Sequence, residues 1–336
     1  MRVSAPAPRR WLHFFLAYTA LAAFFAVSAA IQLRRYPVGP VAAASIYLCL
    51  LLLLALFLAP GFVVSRAWLA VRLRGSGRAP ACNGLFLLPY LIYAGGTGDF
   101  GWVAFAKLLV FSAVPFFLFA AAPVRHRRRL NWQDALALVW LAAPVLFRLI
   151  RGIWNVPVNL DFMARLFLVA VGAWAFLLWR GLEGAGYEFC FTLPIVRAAL
   201  LNFGGFAVVA VPLGLTLRFI AWNPQWRGPW GFAFDYVTLF LFVAITEELF
   251  FRGLLQNLLE GSWDSRYAAQ AAAAVLFGLS HIHHAPFPNW RYVILATIAG
   301  WFYGSAYRST RSLMASATTH ALVDAVWRTW FTLPRI

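Results

Sequence analysis

Apolar residues recur along this chain in windows long enough to cross, or nearly cross, a hydrocarbon layer, and no other feature restricts its folding so severely. The windows are 11–33, 41–64, 80–94, 102–122, 133–147, 160–179, 199–220, 233–259, 267–282, 291–306 and 312–331. A bilayer core about 30 Å thick needs about 20 helical residues for one crossing. Several windows fall short of that, and the third is interrupted by Pro89 and reads as a candidate re-entrant segment. Because lipid cannot satisfy backbone N–H and C=O groups, every crossing must be a helix. The expected fold is an all-α, polytopic transmembrane helix bundle of about 8–10 spans. Hydrophobic residues make up 63% of the 336 and charged residues only 12%, with a mean hydropathy of +0.75. That composition excludes a soluble enzyme on a single anchor.

The formal net charge is +17, carried almost wholly by arginine, with Lys107 the sole lysine. The arginines gather at the ends of apolar windows: Arg9 and Arg10, Arg34 and Arg35, Arg72 to Arg78, and Arg125 to Arg129. That is how interfacial anchors and cytoplasmic loops over an anionic leaflet are distributed. No basic stripe interleaved with aromatics suggests a nucleic-acid partner. The charge bias across the first hairpin puts the N-terminus in the cytoplasm. An Arg-rich, Lys-poor chain of this kind is expected in a prokaryotic cytoplasmic (inner) membrane. The apolar run after Arg10 passes Ser28-Ala29-Ala30 and ends near Leu33, which fits an uncleaved anchor better than a signal peptide. Cys49, Cys82 and Cys190 are widely spaced and odd in number, and read as small packing residues.

Glycine and proline punctuate the breaks at 95–101, 156–161 and 222–231. Trp222, Trp226, Trp230 and Trp290 suit an interfacial belt. The stretch from Arg180 to Arg197 mixes Glu183 and Glu188 with Phe189, Phe191, Leu193 and Ile195, an amphipathic pattern expected to lie along the interface. It divides an N-terminal multi-span region of unknown role (1–198), without intramembrane acids, from a C-terminal core (199–336) that has them.

That core carries the chemistry. FLFVAITEELFFRGLLQ, from Phe240 to Gln256, sets Glu247 and Glu248 deep in an apolar helix. Each such charge costs about 2.5–3.5 kcal/mol at a bilayer centre on insertion scales. A Glu248–Arg252 ion pair at i, i+4 accounts for one acid and leaves Glu247 unexplained. AAQAAAAVLFGLSH ends in His281 with Phe277 one turn earlier, and its small residues suit close helix approach. MASATTHALVDAV places His320 and Asp324 on one helix face. A lone intramembrane histidine is ordinarily a hydrogen-bonded core residue, but three consecutive helices bearing such groups imply a shared, water-filled intramembrane cavity. Water, carboxylates and imidazoles together are equipment for general-base hydrolysis.

Glu247-Glu248-x-x-x-Arg252, Phe277-x-x-x-His281 and His320-x-x-x-Asp324, in that order, resemble the CPBP intramembrane proteases, which include CAAX prenyl endopeptidases and bacteriocin-processing or immunity proteins. The likeness covers about residues 199–331 and is sharp in 243–328. One position departs: Asp324 stands where prenyl-processing members usually carry Asn. The resemblance implies an intramembrane endopeptidase in which Glu247 and His281 hold and activate water. It further implies that His320 and Asp324 polarise the scissile carbonyl, while Glu248 and Arg252 orient Glu247 and contact the substrate. Family members have been described both as metalloendopeptidases and as metal-free enzymes. Glu247, His281 and His320 could ligate Zn2+, whereas the lack of H-E-x-x-H and the spread of ligands over three helices favour metal-free water activation. The partners implied are the lipid bilayer and a peptide or protein substrate entering from it: a prenylated C-terminus, a leader peptide or a C-terminal sorting tail. Two other classes use the same residues: an ion- or proton-coupled transporter, and an idle immunity or scaffold protein.

Overall fold

The computed structural model describes residues 8–33, 36, 38–73, 76–122, 124 and 126–332. Arg34, Arg35 and Arg125, and the side chains of Arg9 and Arg10, lie outside the described residues, and with them most of the charge bias used to orient the N-terminus. The helices are α1 (Pro8–Leu33), α2 (Pro40–Leu58), α3 (Val63–Arg72), α4 (Ala79–Thr97), α5 (Trp102–Ala121), α6 (Trp132–Leu146), α7 (Phe162–Ala173), α8 (Leu193–Thr216), α9 (residues 228–262), α10 (Arg266–Leu279), α11 (Trp290–Thr310) and α12 (Leu313–Trp330). One two-residue antiparallel pair, β1 (Ala221–Trp222) with β2 (Phe331–Thr332), is the sheet found among the described residues. The protein is an all-α polytopic membrane bundle.

Among the described residues, five helical stretches are long and apolar enough to cross a membrane alone: Trp11–Ile31, Pro40–Gly61, Trp102–Ala121, Phe162–Trp179 and Leu193–Thr216. In the last, only 17% of the apolar window is buried against protein, so its surface requires lipid. α11 and α12, with 21 and 18 residues, reach about 31 and 27 Å at 1.5 Å per residue. They have the length of spans and a more polar composition.

The chain divides into two compact units, the first Met1–Arg127 with Trp132–Leu182, the second Arg128–Asn131 with Glu183–Ile336. In the first unit α2 packs on α4 and α7. α4 runs unbroken through Pro89, which is buried within it, so the expected Pro-broken third segment is corrected. A proline omits one amide hydrogen bond, and the neighbouring turns carry the helix on. The N-terminal region nevertheless buries an acid within protein. Asp134, in the first turn of α6, is fully buried and takes Nε and Nη2 of Arg180 at 2.9 and 3.0 Å. A bidentate partner 46 residues away is invisible to a helix-by-helix reading.

The second unit contains the motif helices. The expected amphipathic element at 180–197 does not form: residues 181–192 are irregular and α8 begins only at Leu193. Gly181, Gly184 and Gly186 adopt φ of 69°, 81° and 67°, a region that favours glycine and ends a helix. The irregular segment is tied down instead. Asn257 Nδ2 and the Tyr307 hydroxyl donate to the carbonyls of Glu183 and Gly184 at 2.8 and 2.5 Å. The Leu313 amide donates to Gly186 O at 2.9 Å. Cys190 is exposed, unlike the buried Cys49 and Cys82, so it does not serve as a packing residue.

α8 packs against α11 and α12, and α10 against α11. Small residues permit that last approach. A Cβ on Gly278 would lie 2.7 Å from Val293 O, and one on Gly300 would lie 3.0 Å from Ala274 Cα. Side chains of Ser265, Asn289 and Ser312 accept from the first-turn amides of Ala268, Tyr292 and Met314, capping α10, α11 and α12.

Candidate active site

α9 is not a uniform α-helix. Phe240–Ala244 and Leu249–Gln256 are π-helical, and the four residues between them, Ile245–Glu248, hold both motif glutamates. The Ile245 amide donates to the carbonyl of Phe240, five residues back. Wide turns of this kind re-aim side chains and concentrate at functional sites. Glu248, Arg252, Gln256 and Glu260 then follow one another at four-residue spacing along α9.

Glu248 is completely enclosed, as is Arg252. Nη1 of Arg252 donates to Glu248 Oε1 at 2.7 Å and Nη2 to the Gly300 carbonyl at 2.9 Å. The guanidinium also faces the rings of Phe277 and Tyr303, at 4.7 and 5.3 Å. A second donor to Glu248 is the hydroxyl of Ser316, on α12. The third is His320, whose Nδ1 lies 2.8 Å from Oε1. An ionised carboxylate only accepts, so Nδ1 carries its proton there and Nε2 faces away. On that far side Nε2 is 3.5 Å from Asp324 Oδ2 and 3.9 Å from Glu247 Oε2. The imidazole stacks on Tyr303, centroids 4.5 Å apart at 16°. Burial grades outward across the cluster. His320's side chain is 5% exposed, Asp324's 24% and Glu247's 35%.

Five of the six candidate catalytic residues therefore form one connected group: Glu247, Glu248, Arg252, His320 and Asp324. Glu248 reaches His320 and Arg252, and Arg252 is wholly enclosed rather than presented at the site's surface. His281 stands apart. Its Nδ1 donates to Phe277 O at 2.8 Å, leaving Nε2 as the acceptor, and Ser280 Oγ is 3.2 Å from Nδ1. Its ring packs on Tyr292, Phe277 and His284 at 4.6, 4.8 and 5.7 Å. The Phe277 ring also meets His320, at 5.7 Å, so a phenyl group connects the two imidazoles. His283 and His284 lie in the loop between α10 and α11.

Zn2+ would require three protein donors converging at about 2.0–2.2 Å from one point. Among the described residues no three His, Cys, Asp or Glu side chains are grouped to hold a metal ion. Glu247, His281 and His320 are therefore not such a group.

Ser316, Tyr303 and the Gly300 carbonyl belong to the site and carry no motif signature. Ser316 could have been found, since it lies four residues before His320 and shares its helix face. Tyr303 could not, because its place depends on how α11 packs.

A helical membrane protein with a carboxylate–histidine group enclosed among its apolar helices is the class defined so far. The family described as Type II CAAX prenyl endopeptidase Rce1-like matches residues 229–326, and that segment is similar to the CPBP proteases. The match supports a protease-like function in general terms. The chain is 30% identical over 91 residues to Uncharacterized protein YpbD of Bacillus subtilis (strain 168). The matched stretch is 27% of this chain and 42% of that relative, so less than half of the relative's length is spanned. No solved structure matches.

Proposed function

We propose that the second unit is an intramembrane endopeptidase that hydrolyses a peptide bond with water activated by Glu247 and polarised through His320. The observation that carries this reading is the asymmetric setting of His320. Its Nδ1 is fixed by buried Glu248, itself held by Arg252 and Ser316, and its Nε2 is turned toward the two more exposed carboxylates. A buried carboxylate that locks one imidazole nitrogen and frees the other is the arrangement general acid–base catalysis uses.

In the reaction, Glu247 takes a proton from water and the resulting hydroxide adds to the scissile carbonyl carbon. His320, with Nε2 protonated, donates to the developing oxyanion. Asp324 Oδ2, 3.5 Å from that nitrogen, orients the ring. The C–N bond then breaks as Glu247 returns its proton to the leaving nitrogen, so protons balance. The substrate is a peptide segment delivered from the lipid phase. No step uses a metal.

The test is hydrolysis of fluorogenic peptides by the purified chain in proteoliposomes. Glu247→Gln lowers kcat by about 10²–10⁴-fold, the usual contribution of a general base. His320→Gln lowers it by about 10²–10³-fold, as loss of an oxyanion donor does. Glu247→Gln keeps the parent's unfolding midpoint, and a chelator leaves the rate unchanged. Glu247→Gln activity within a factor of about ten of the parent overturns the proposal. Chelator inhibition reversed by added zinc overturns its metal-free form.

A further inference from the structure

Away from the motif residues, two arginines converge on one buried acid. Asp235, in the first half of α9, has a side chain only 4% exposed and is paired with Arg227 Nη2 through one oxygen. Arg328 Nη1 lies 3.5 Å from the other. The guanidinium side chains are 56% and 57% exposed. One carboxylate shared between two guanidiniums leaves net positive charge and spare N–H donors facing outward, since each guanidinium carries five. The buried acid holds the fork rather than neutralising it.

The backbone is arranged to produce this grouping. Gly228 turns the chain with φ 79°, and a Cβ on Gly231 would come within 2.7 Å of Arg227 Cβ. Only a glycine there lets Arg227 fold back over the first turn of α9. From the other side, the amides of Asn223 and Gln225 donate to Trp330 O and Thr329 O at 2.9 and 2.6 Å, which fixes the end of α12 and hence Arg328.

An aromatic wall adjoins the fork. Trp226 and Trp330 stack with centroids 5.7 Å apart, and Phe232 packs on both, at 6.1 and 5.8 Å. Trp226 remains 53% exposed. Indole rings beside arginines at helix ends mark the headgroup depth of a bilayer. A ligand suited to both parts has a compact oxyanion joined to an apolar body, and a free inorganic anion uses only one of them. We infer that Arg227, Arg328 and Asp235 form a binding site for the phosphate of an anionic phospholipid whose acyl chains run along the Trp226–Trp330 wall. Guanidinium forks pair with phosphate through parallel, charge-assisted hydrogen bonds.

The experiment measures phosphatidylglycerol binding to the full-length protein in a neutral detergent by native mass spectrometry. Arg227→Gln/Arg328→Gln is expected to weaken binding about a hundredfold, roughly tenfold for each guanidinium–phosphate pairing removed. Arg227→Lys/Arg328→Lys falls between the two. Millimolar inorganic phosphate is expected not to displace the lipid. Equal binding by parent and double variant overturns the proposal. Displacement by inorganic phosphate overturns it in favour of a soluble anion. If the double variant raises KM for peptide hydrolysis while lipid binding is unchanged, the fork serves the substrate instead. Should the double variant unfold, Arg227→Gln alone, altering a residue before the helix, must still lose about tenfold.

Discussion

Replacing Arg252 by methionine isolates the contribution of the buried ion pair. The change keeps the length and apolar stem of the side chain and deletes three things. These are the 2.7 Å bond to Glu248, the 2.9 Å bond to Gly300 O, and the cation over Phe277 at 4.7 Å. Glu248 is then a carboxylate with no exposure to solvent. Removing one member of a fully buried pair costs about 3–5 kcal/mol, chiefly because the other charge is stranded. The Ser316 hydroxyl and His320 Nδ1 still reach Glu248, and a protonated His320 supplies part of the missing charge. The cost should therefore fall near the lower end, about 3 kcal/mol. Pairing the change with Glu248→Gln removes the stranded charge, so the double variant should recover about 1–3 kcal/mol of coupling. The measurement is reversible unfolding in mixed micelles, applied to parent, both single variants and the double variant. A loss below about 1 kcal/mol in Arg252→Met, or strict additivity in the cycle, would refute the view that Glu248 depends on Arg252 for its charge.

Ser316→Ala removes a hydroxyl donated to a buried carboxylate, which costs about 1.5–3 kcal/mol; peptide hydrolysis should show a fall in kcat at unchanged KM, because Glu248 then holds His320 less firmly. Gly278→Ala gains about 1 kcal/mol of helix propensity yet must push against Val293 O, 2.7 Å from the new Cβ; overpacking of about 1–3 kcal/mol should dominate, and chemical unfolding at lower denaturant reads it out.

What could be read from the residues alone followed the reach of local rules. His320 and Asp324 sit four apart, so a shared face followed from helical geometry, as did the Glu248–Arg252 pair. The motif order indicated which helices carry polar groups, but not how those groups meet. Glu248 bonds to His320 across 72 residues, and two π-helical stretches around Ile245–Glu248 alter which way its neighbours face. The same limit explains Asp134, whose partner Arg180 lies on another element. Residues 181–192 failed for a different reason. Their apolar and acidic spacing imitates an amphipathic helix, but three glycines at positive φ make the backbone, not the side chains, decisive. His281 shows the limit within the site itself, since the Phe277-x-x-x-His281 spacing fixes a shared face and not which neighbour the imidazole meets.

α8 exposes most of its apolar window, with only 17% enclosed by protein. Its free energy is consequently a joint property of polypeptide and amphiphile, and any melting temperature quoted for this molecule names a detergent or a lipid mixture as much as a sequence. Acyl-chain length becomes a thermodynamic variable on the same footing as denaturant, because α8 offers 24 residues, about 36 Å of helix, to a layer whose thickness the experimenter chooses.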